Sequence, residues 1–185
     1  MSDVGPILRS ARLLLRPLQP EDRAEYARVH TLSEELYRPY SPWPMEPVDQ
    51  RFEEDLARSQ AEWTDGSGAR LVAHLTDGRH VAYVNLSQIF RRKSQSCVIG
   101  WRGNAETLRQ SYVSEAVWTV LTYAFARDGL GLHRVQAAIV PGNVASLRVA
   151  DKCGFRREGL ALKYLLIAGE WRDHFIYAKL AEEHR

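Results

Sequence analysis

Two polar side chains, Asn143 and Ser146, lie three residues apart at the start of a short amphipathic segment. An asparagine amide donates and accepts hydrogen bonds, and a serine hydroxyl does the same. At this spacing both side chains project from one face of the first turn of a helix. Hydrogen bonding is therefore the chemistry that this pair offers. An ordinary helix start with a polar cap would show the same spacing.

The pair lies between two predicted strands. Residues 135–140 form an alternating, β-branched run that predicts a strand buried on at least one face. Pro141-Gly142 breaks the chain, and Asn143 then occupies the N-cap position of a short helix. Gly154 suits the C′ position that stops this helix, and Phe155 begins a second extended segment. The segment is therefore predicted to be strand, capped helix, strand.

This segment resembles the C-terminal half of the GNAT acetyltransferases, in particular the RimJ/RimL-type N-acetyltransferases. The resemblance rests on the string Asn143-x-x-Ser146-x-x-Val149-x-x-Lys152-x-Gly154-Phe155-x-x-Glu158-Gly159. It implies acetyl-CoA as co-substrate, with Asn143 hydrogen-bonded to the pantetheine arm. It also implies that Ser146 protonates the departing thiolate.

Length and element order indicate one domain, 1–185, with an α+β fold. The resemblance implies an α/β/α sandwich with a mostly antiparallel central sheet, splayed central strands and about four helices. Further elements are predicted at 7–16 (strand), 18–36 and 47–63 (helices), 69–76, 79–90 and 94–102 (strands), 114–129 (helix), and a final hairpin around Ala168-Gly169.

The composition argues against several classes of protein. The net charge is +2, and Cys97 and Cys153 lack metal-ligand spacing. No stretch approaches the roughly 20 apolar residues of a membrane helix, and the N-terminal MSDVGPILRS lacks the features of a secretion signal. We therefore expect a cytoplasmic protein with reduced thiols and no metal. We expect no membrane partner, and no nucleic-acid partner is indicated.

The resemblance fails in one loop. The family places its pyrophosphate loop before its longest helix, which Glu115-Ala116-Val117 identifies here. Leu108 stands where the family has glutamine or arginine, Ser111 where it has glycine, and Val113 where it has a small residue. Arg109 replaces a further common glycine. Side chains at Ser111 and Val113 could obstruct the close approach of a pyrophosphate and disfavour a positive φ.

The helix N-terminus and its dipole nevertheless remain an anion site. Ser111 could cap this helix, and Arg109 could contact phosphate. The residues predicted to bind the donor are Ile99, Arg109, Gln110, Ser111, Tyr112, Val113, Ser114, Asn143 and Ser146.

Acetyl transfer requires an acceptor amine to lose a proton, attack the thioester in a ternary complex and release a thiolate. Ser146 is the candidate acid, with Tyr164 behind it. Glu35 is a candidate base, with Asp173 as an alternative, because the family's glutamate position corresponds to Leu165. A backbone N–H at a break in strand 97–102 is expected to hold the oxyanion.

The acceptor is expected to be a primary amine of a small molecule or a protein N-terminus. The residues predicted to bind it are Tyr40, Trp43, Asn85, Trp101 and His174. His174 lies in a Tyr-Leu-x-Ile-x-Gly-x-Trp-x-Asp-His string that also resembles RimJ-like chains. Hairpin packing with an Asp173–His174 hydrogen bond is the alternative for it. The chain is expected to be a monomer or homodimer.

A second function remains open at this point. A chain with this fold that has lost donor binding would act as a binding or regulatory module, or would use a different donor.

Overall fold

An eight-stranded sheet runs through the part of the chain that the computed structural model describes, residues 5–41 and 46–185. The strands are β1 (Leu8–Arg9), β2 (Leu14–Arg16), β3 (Ala69–His74), β4 (His80–Phe90), β5 (Ser96–Gly103), β6 (Arg134–Ile139), β7 (Arg156–Ile167) and β8 (Glu170–Leu180). Their order in the sheet is β1-β2-β3-β4-β5-β6-β8-β7. Neighbouring strands are antiparallel except β5 and β6, which are parallel.

Helices cover both faces of the sheet. They are α1 (Arg23–Leu32), α2 (Glu34–Tyr37), α3 (Val48–Thr64), α4 (Tyr112–Phe125) and α5 (Val144–Lys152). One apolar cluster joins α4 and α5 to the central strands, and a second joins α1 and α3 to the opposite face. The predicted α+β sandwich and its mostly antiparallel sheet are confirmed.

Three predicted boundaries change. The strand predicted at 7–16 is two short strands joined by a turn, in which the Ser10 N–H donates to the Leu13 carbonyl. The helix predicted at 18–36 divides at Ser33 into α1 and α2. The longest C-terminal helix, α4, begins at Tyr112 and ends at Phe125, earlier than its apolar pattern indicated.

The parallel pairing of β5 and β6 is short. It joins Ser96 to Arg134, Cys97 to Val135 and Val98 to Gln136, and then it ends although both strands continue. The expected splay of the central strands is therefore present. The expected break within residues 97–102 is wrong, because β5 is continuous and the irregularity lies in β4, where Gln88 has φ +53°.

A buried polar cluster ties the start of α1 to β3 and β4. Asp22 accepts two hydrogen bonds from the Arg16 guanidinium, at 2.7 and 2.8 Å, and its Oδ1 lies 3.5 Å from Nε2 of His80. Burial alone would raise the pKa of Asp22, but these bonds outweigh it and hold the pKa well below its usual range. His74 packs edge-on against His80, and Nε2 of His74 has no partner among the described residues.

Two buried histidines are held neutral. His30 is fully buried, stacks on Tyr26 with ring centroids 3.7 Å apart, and donates through Nδ1 to the Tyr26 carbonyl. Burial lowers the pKa of His30 to about 2 and that of His74 to about 4. No helix within the described ranges is long and apolar enough to cross a membrane.

Candidate active site

A cleft opens where β5 and β6 separate. Its volume is about 160 Å³. Three sets of residues line it: Ile99, Gly100 and Trp101 from β5; Ala137, Ala138, Ile139 and Val140 from the end of β6; and Tyr40, Asn143, Ser146 and His174 around the rim. The structure therefore brings six of the predicted site residues together.

Asn143 and Ser146 line this cleft through the first turn of α5. Oδ1 of Asn143 accepts a hydrogen bond from the Ser146 backbone N–H at 3.1 Å, which confirms the predicted cap. The side-chain NH₂ of Asn143 and the hydroxyl of Ser146 have no hydrogen-bond partner among the described residues. Both groups can therefore bind a ligand while the cap stays in place.

The cleft continues into a groove of about 420 Å³ along α5. Tyr40, Trp101, Asn143 and Ser146 line both cavities, so the two are continuous. Two residues line the far end of the groove. Leu108 lies in the loop before α4, and Val113 lies in the first turn of α4. A chain-like ligand lying in the groove would thus run from the strand splay to the N-terminus of α4.

The loop before α4 has the backbone shape that its sequence argues against. Arg109 has φ +65° and Ser111 has φ +63°, both in the left-handed region. Ser111 was expected to disfavour a positive φ because of its side chain, and it adopts one nevertheless. Such a conformation costs about 1–2 kcal/mol for a residue with a side chain, so other contacts must hold the loop.

Arg12, in the turn between β1 and β2, supplies part of that support. Its guanidinium donates to the Gln110 carbonyl at 3.2 and 3.3 Å and to Oε2 of Glu115 at 2.7 Å. It also lies over the Tyr112 ring, 4.4 Å from the centroid. One side chain therefore contacts the loop and the first turn of α4 together.

Ser111 does not cap α4, contrary to the prediction. Its hydroxyl instead accepts a hydrogen bond from Nζ of Lys152 at 3.2 Å, and no side chain in the described part of the chain caps the first N–H groups of the helix. These N–H groups remain available at the positive end of a 14-residue helix. The arrangement fits a phosphate group, because uncapped N–H donors and the Lys152 ammonium lie beside one another.

A second pocket lies on the opposite face of the sheet, under α3. Its volume is about 370 Å³, and its lining includes Asn85, which was predicted to bind substrate, and Trp101. Gly100 lines both this pocket and the cleft. A Cβ at Gly100 would lie 2.8 Å from Oδ1 of Asn85, so the glycine allows the Asn85 side chain to approach this strand closely.

His174 is the buried titratable side chain of the cleft. It is 3% exposed, and Nδ1 lies 2.9 Å from the Arg172 carbonyl oxygen. A carbonyl can only accept, so Nδ1 is the ring nitrogen that donates here, and Nε2 is the one that can accept a proton. The alternative Asp173–His174 hydrogen bond is wrong, because Asp173 accepts from the Lys163 N–H at 2.8 Å.

Two other predicted residues, Glu35 and Tyr164, lie apart from the cleft. The Glu35 side chain is 80% exposed, and its carboxylate lies 2.8 Å from the Arg38 guanidinium. Tyr164 is 46% exposed and lines neither the cleft nor the groove, although its ring packs edge-on against His174. Trp43 falls outside the described residues.

Sequence reasoning missed Arg12 and Gly100. Arg12 acts on a loop almost 100 residues away, and no local pattern indicates such a contact. Gly100 did carry a signal, because an isolated glycine inside a strand indicates close approach of another group.

Comparisons with known proteins agree with this geometry. Residues 12–156 match the family described as Acetyltransferase (GNAT) domain. The probable N-acetyltransferase YjcK of Bacillus subtilis (strain 168) is 29% identical over 180 residues, which cover 94% of this chain and 97% of YjcK. The [ribosomal protein uS5]-alanine N-acetyltransferase of Escherichia coli (strain K12) is 30% identical over 98 residues, 53% of this chain and 50% of that protein.

Solved structures give the same result. Mycobacterium smegmatis RimJ, in complex with CoA-disulfide, superposes with a TM-score of 0.85 at 28% identity, over 97% of this chain and 87% of that one.

Proposed function

We propose that this chain, which belongs to the GNAT acetyltransferase family, moves an acetyl group from acetyl-CoA to a primary amine by direct attack in a ternary complex. It is an N-acetyltransferase related to the ribosomal-protein alanine acetyltransferases. The acceptor we propose is the α-amine of a protein N-terminus, the kind of group that the name of the uS5 relative indicates. One observation carries the proposal: Gly100, beside the strand splay, lines cavities on both faces of the sheet.

The cleft and the groove offer hydrogen-bond donors to two polar parts of acetyl-CoA, its pyrophosphate and its pantetheine arm. The N–H groups at the start of α4, with Lys152, would hold the pyrophosphate. The free NH₂ of Asn143 would bond the pantetheine arm as it passes α5. The donor supplies a thioester carbonyl that is open to attack.

The residues of the cleft supply the two proton transfers. Nε2 of His174 would accept the proton that the acceptor amine must lose before it attacks. The hydroxyl of Ser146 would give a proton to the departing thiolate, since both groups would lie at the same end of the groove. Trp101 Nε1 is buried without a partner among the described residues and could donate to the bound substrate.

Donor binding is tested by titrating the purified protein with acetyl-CoA in a calorimeter. Replacing Asn143 by alanine removes both the ligand contact and the cap, whereas Asn143→Ser keeps a capping oxygen. We expect both variants to bind acetyl-CoA about tenfold more weakly, the loss of one hydrogen bond of about 1.4 kcal/mol. Only the alanine variant should also lose about 1 kcal/mol of stability. No heat at millimolar acetyl-CoA would reject this function in favour of a binding module or another donor.

The support that Arg12 gives to the loop is tested separately. In Arg12→Ala the left-handed residues at 109 and 111 should relax, which lowers the fraction of protein that is ready to bind. We expect about tenfold weaker binding of acetyl-CoA, measured by calorimetry. Arg9→Ala, which removes the same charge from an exposed residue of the same hairpin, should bind as the native protein does.

A rescue distinguishes this support from a direct contact with the donor. Adding Arg109→Gly and Ser111→Gly to Arg12→Ala should restore binding, because glycine adopts a positive φ without cost from a side chain. A triple variant that stays weak, while Arg109→Gly/Ser111→Gly with native Arg12 binds normally, would show that Arg12 contacts the donor itself.

A further inference from the structure

The pocket under α3 carries an excess of positive charge, and we propose that it selects acceptor amines that bear an anionic group. The anion would meet Arg58, while the amine reaches the strand splay past Gly100. This inference rests on the proposed function and specifies its acceptor.

Cross-strand pairing lays out the floor of the pocket. Arg70 pairs with Asn85 across β3 and β4, and Asn85 pairs with Gly100 across β4 and β5. Neighbouring strands lie about 4.8 Å apart, so this row measures about 10 Å from Arg70 to Gly100. Gly100 is the end that also lines the cleft.

Two of the three arginines in the pocket are already neutralised. The Arg102 guanidinium lies 3.2 Å from Oδ2 of Asp55. Nε and Nη2 of Arg70 donate to the two carboxylate oxygens of Glu62, at 2.8 and 2.9 Å. If the pocket held only these two ion pairs, it would favour neither anionic nor cationic ligands.

Arg58 is the remaining cation. It lines the pocket and has no hydrogen bond or ion pair with any residue in the described ranges. It lies three residues after Asp55 and four before Glu62, so all three side chains share the face of α3 that covers the floor. Arg58 therefore lies between the β5 end, where Asp55 holds Arg102, and the β3 end, where Glu62 holds Arg70.

This position sets the spacing of the acceptor. An amine at Gly100 and an anion under Arg58 would be about one to two strand spacings apart, roughly 5–10 Å. A free amino acid with adjacent amine and carboxylate is too short for this. A peptide N-terminus with aspartate or glutamate as its second residue, or a longer aminocarboxylate, fits. Both sources share one chemistry, a primary amine with a remote carboxylate.

The test uses pairs of acceptors that differ only in charge. The peptide pair is Ala-Asp-Ala-amide and Ala-Asn-Ala-amide, and the small-molecule pair is 4-aminobutanoate and 4-aminobutanamide. Acetylation is followed by mass spectrometry with the native protein and with Arg58→Gln. We expect the native protein to prefer the acidic member of at least one pair by about tenfold or more in kcat/KM, as for a hydrogen bond to a charged group. The pair that shows the preference identifies the source.

Arg58→Gln should remove the preference by lowering kcat/KM for the acidic acceptor alone. Arg92→Gln, which removes the same charge from an exposed turn outside the pocket, should keep it. Equal rates for both members, or a preference that survives Arg58→Gln, would overturn the inference. A protein that binds acetyl-CoA but acetylates neither acidic acceptor would overturn it as well. Failure to bind acetyl-CoA would instead reject the proposed function.

Discussion

Replacing His174 by alanine is expected to lower kcat by about 10²–10⁴-fold, the usual contribution of a positioned general base. Its Nδ1–H is held by the Arg172 carbonyl, which leaves Nε2 as the acceptor in a cleft shared with Ser146. Acetyl-CoA binding should change little, because the predicted donor contacts lie on β5, α4, α5 and the loop before α4, whereas His174 lies on β8. The measurement is steady-state acetylation beside calorimetry of the donor.

Chemical rescue distinguishes catalysis by His174 from packing by His174. The alanine variant leaves a space of about the volume of the ring, and added imidazole should restore part of kcat if the ring accepts a proton. A purely structural role would lower the melting temperature and donor affinity together, and imidazole would not restore the rate. His133→Ala, at an exposed histidine, is the matched control. Tyr164→Phe should be tolerated, because Tyr164 contacts the His174 ring from outside the cleft.

Acidification from pH 7.5 to pH 5 is expected to lower the free energy of unfolding by roughly 4 kcal/mol through His30 and His74. Burial holds the pKa of His30 at about 2 and that of His74 at about 4 in the folded protein, against 6.5 for an ordinary histidine. The unfolded chain therefore binds more protons in this range, so stability is lost as the pH falls below about 6.5. At about 1.4 kcal/mol for each pKa unit, each histidine contributes roughly 2 kcal/mol at pH 5.

This loss is measurable as a fall in melting temperature of about 8–16 °C for a chain of this size. In His74→Leu the melting temperature should fall between pH 7.5 and pH 5 by about half as much as in the native protein, whatever the absolute stability of the variant. His133→Gln should keep the full difference, since His133 is exposed. An unchanged difference in His74→Leu would show that His74 does not titrate as a buried group.

The sequence predicts most of the fold because its signals are local. Asn143 as a cap, Gly154 as a helix stop with φ +71°, and the turn at Asp77-Gly78 each act within a few residues, and the structure has all three. The Asn143–Ser146 pair was found in the same way.

Other features depend on contacts that no local pattern records. The break was expected within residues 97–102, yet the cleft arises because β5 and β6 stop pairing, a property of two strands together. Ser111 was predicted to cap α4, but Lys152, at the far end of α5, takes its hydroxyl. Glu35 was a candidate base because of its position along the chain, and the structure turns it to solvent beside Arg38.

The left-handed residues at 109 and 111 constrain the order in which this loop can accumulate substitutions. With glycine at both positions, losing Arg12 would cost the loop little, so an arginine there is optional. With side chains at both positions, the loop depends on Arg12, and replacing Arg12 by alanine weakens donor binding. An arginine at position 12 would therefore have to be present before the glycines at positions 109 and 111 were replaced. A relative that lacks both the glycines and the arginine is expected to have a disordered loop and weak donor binding.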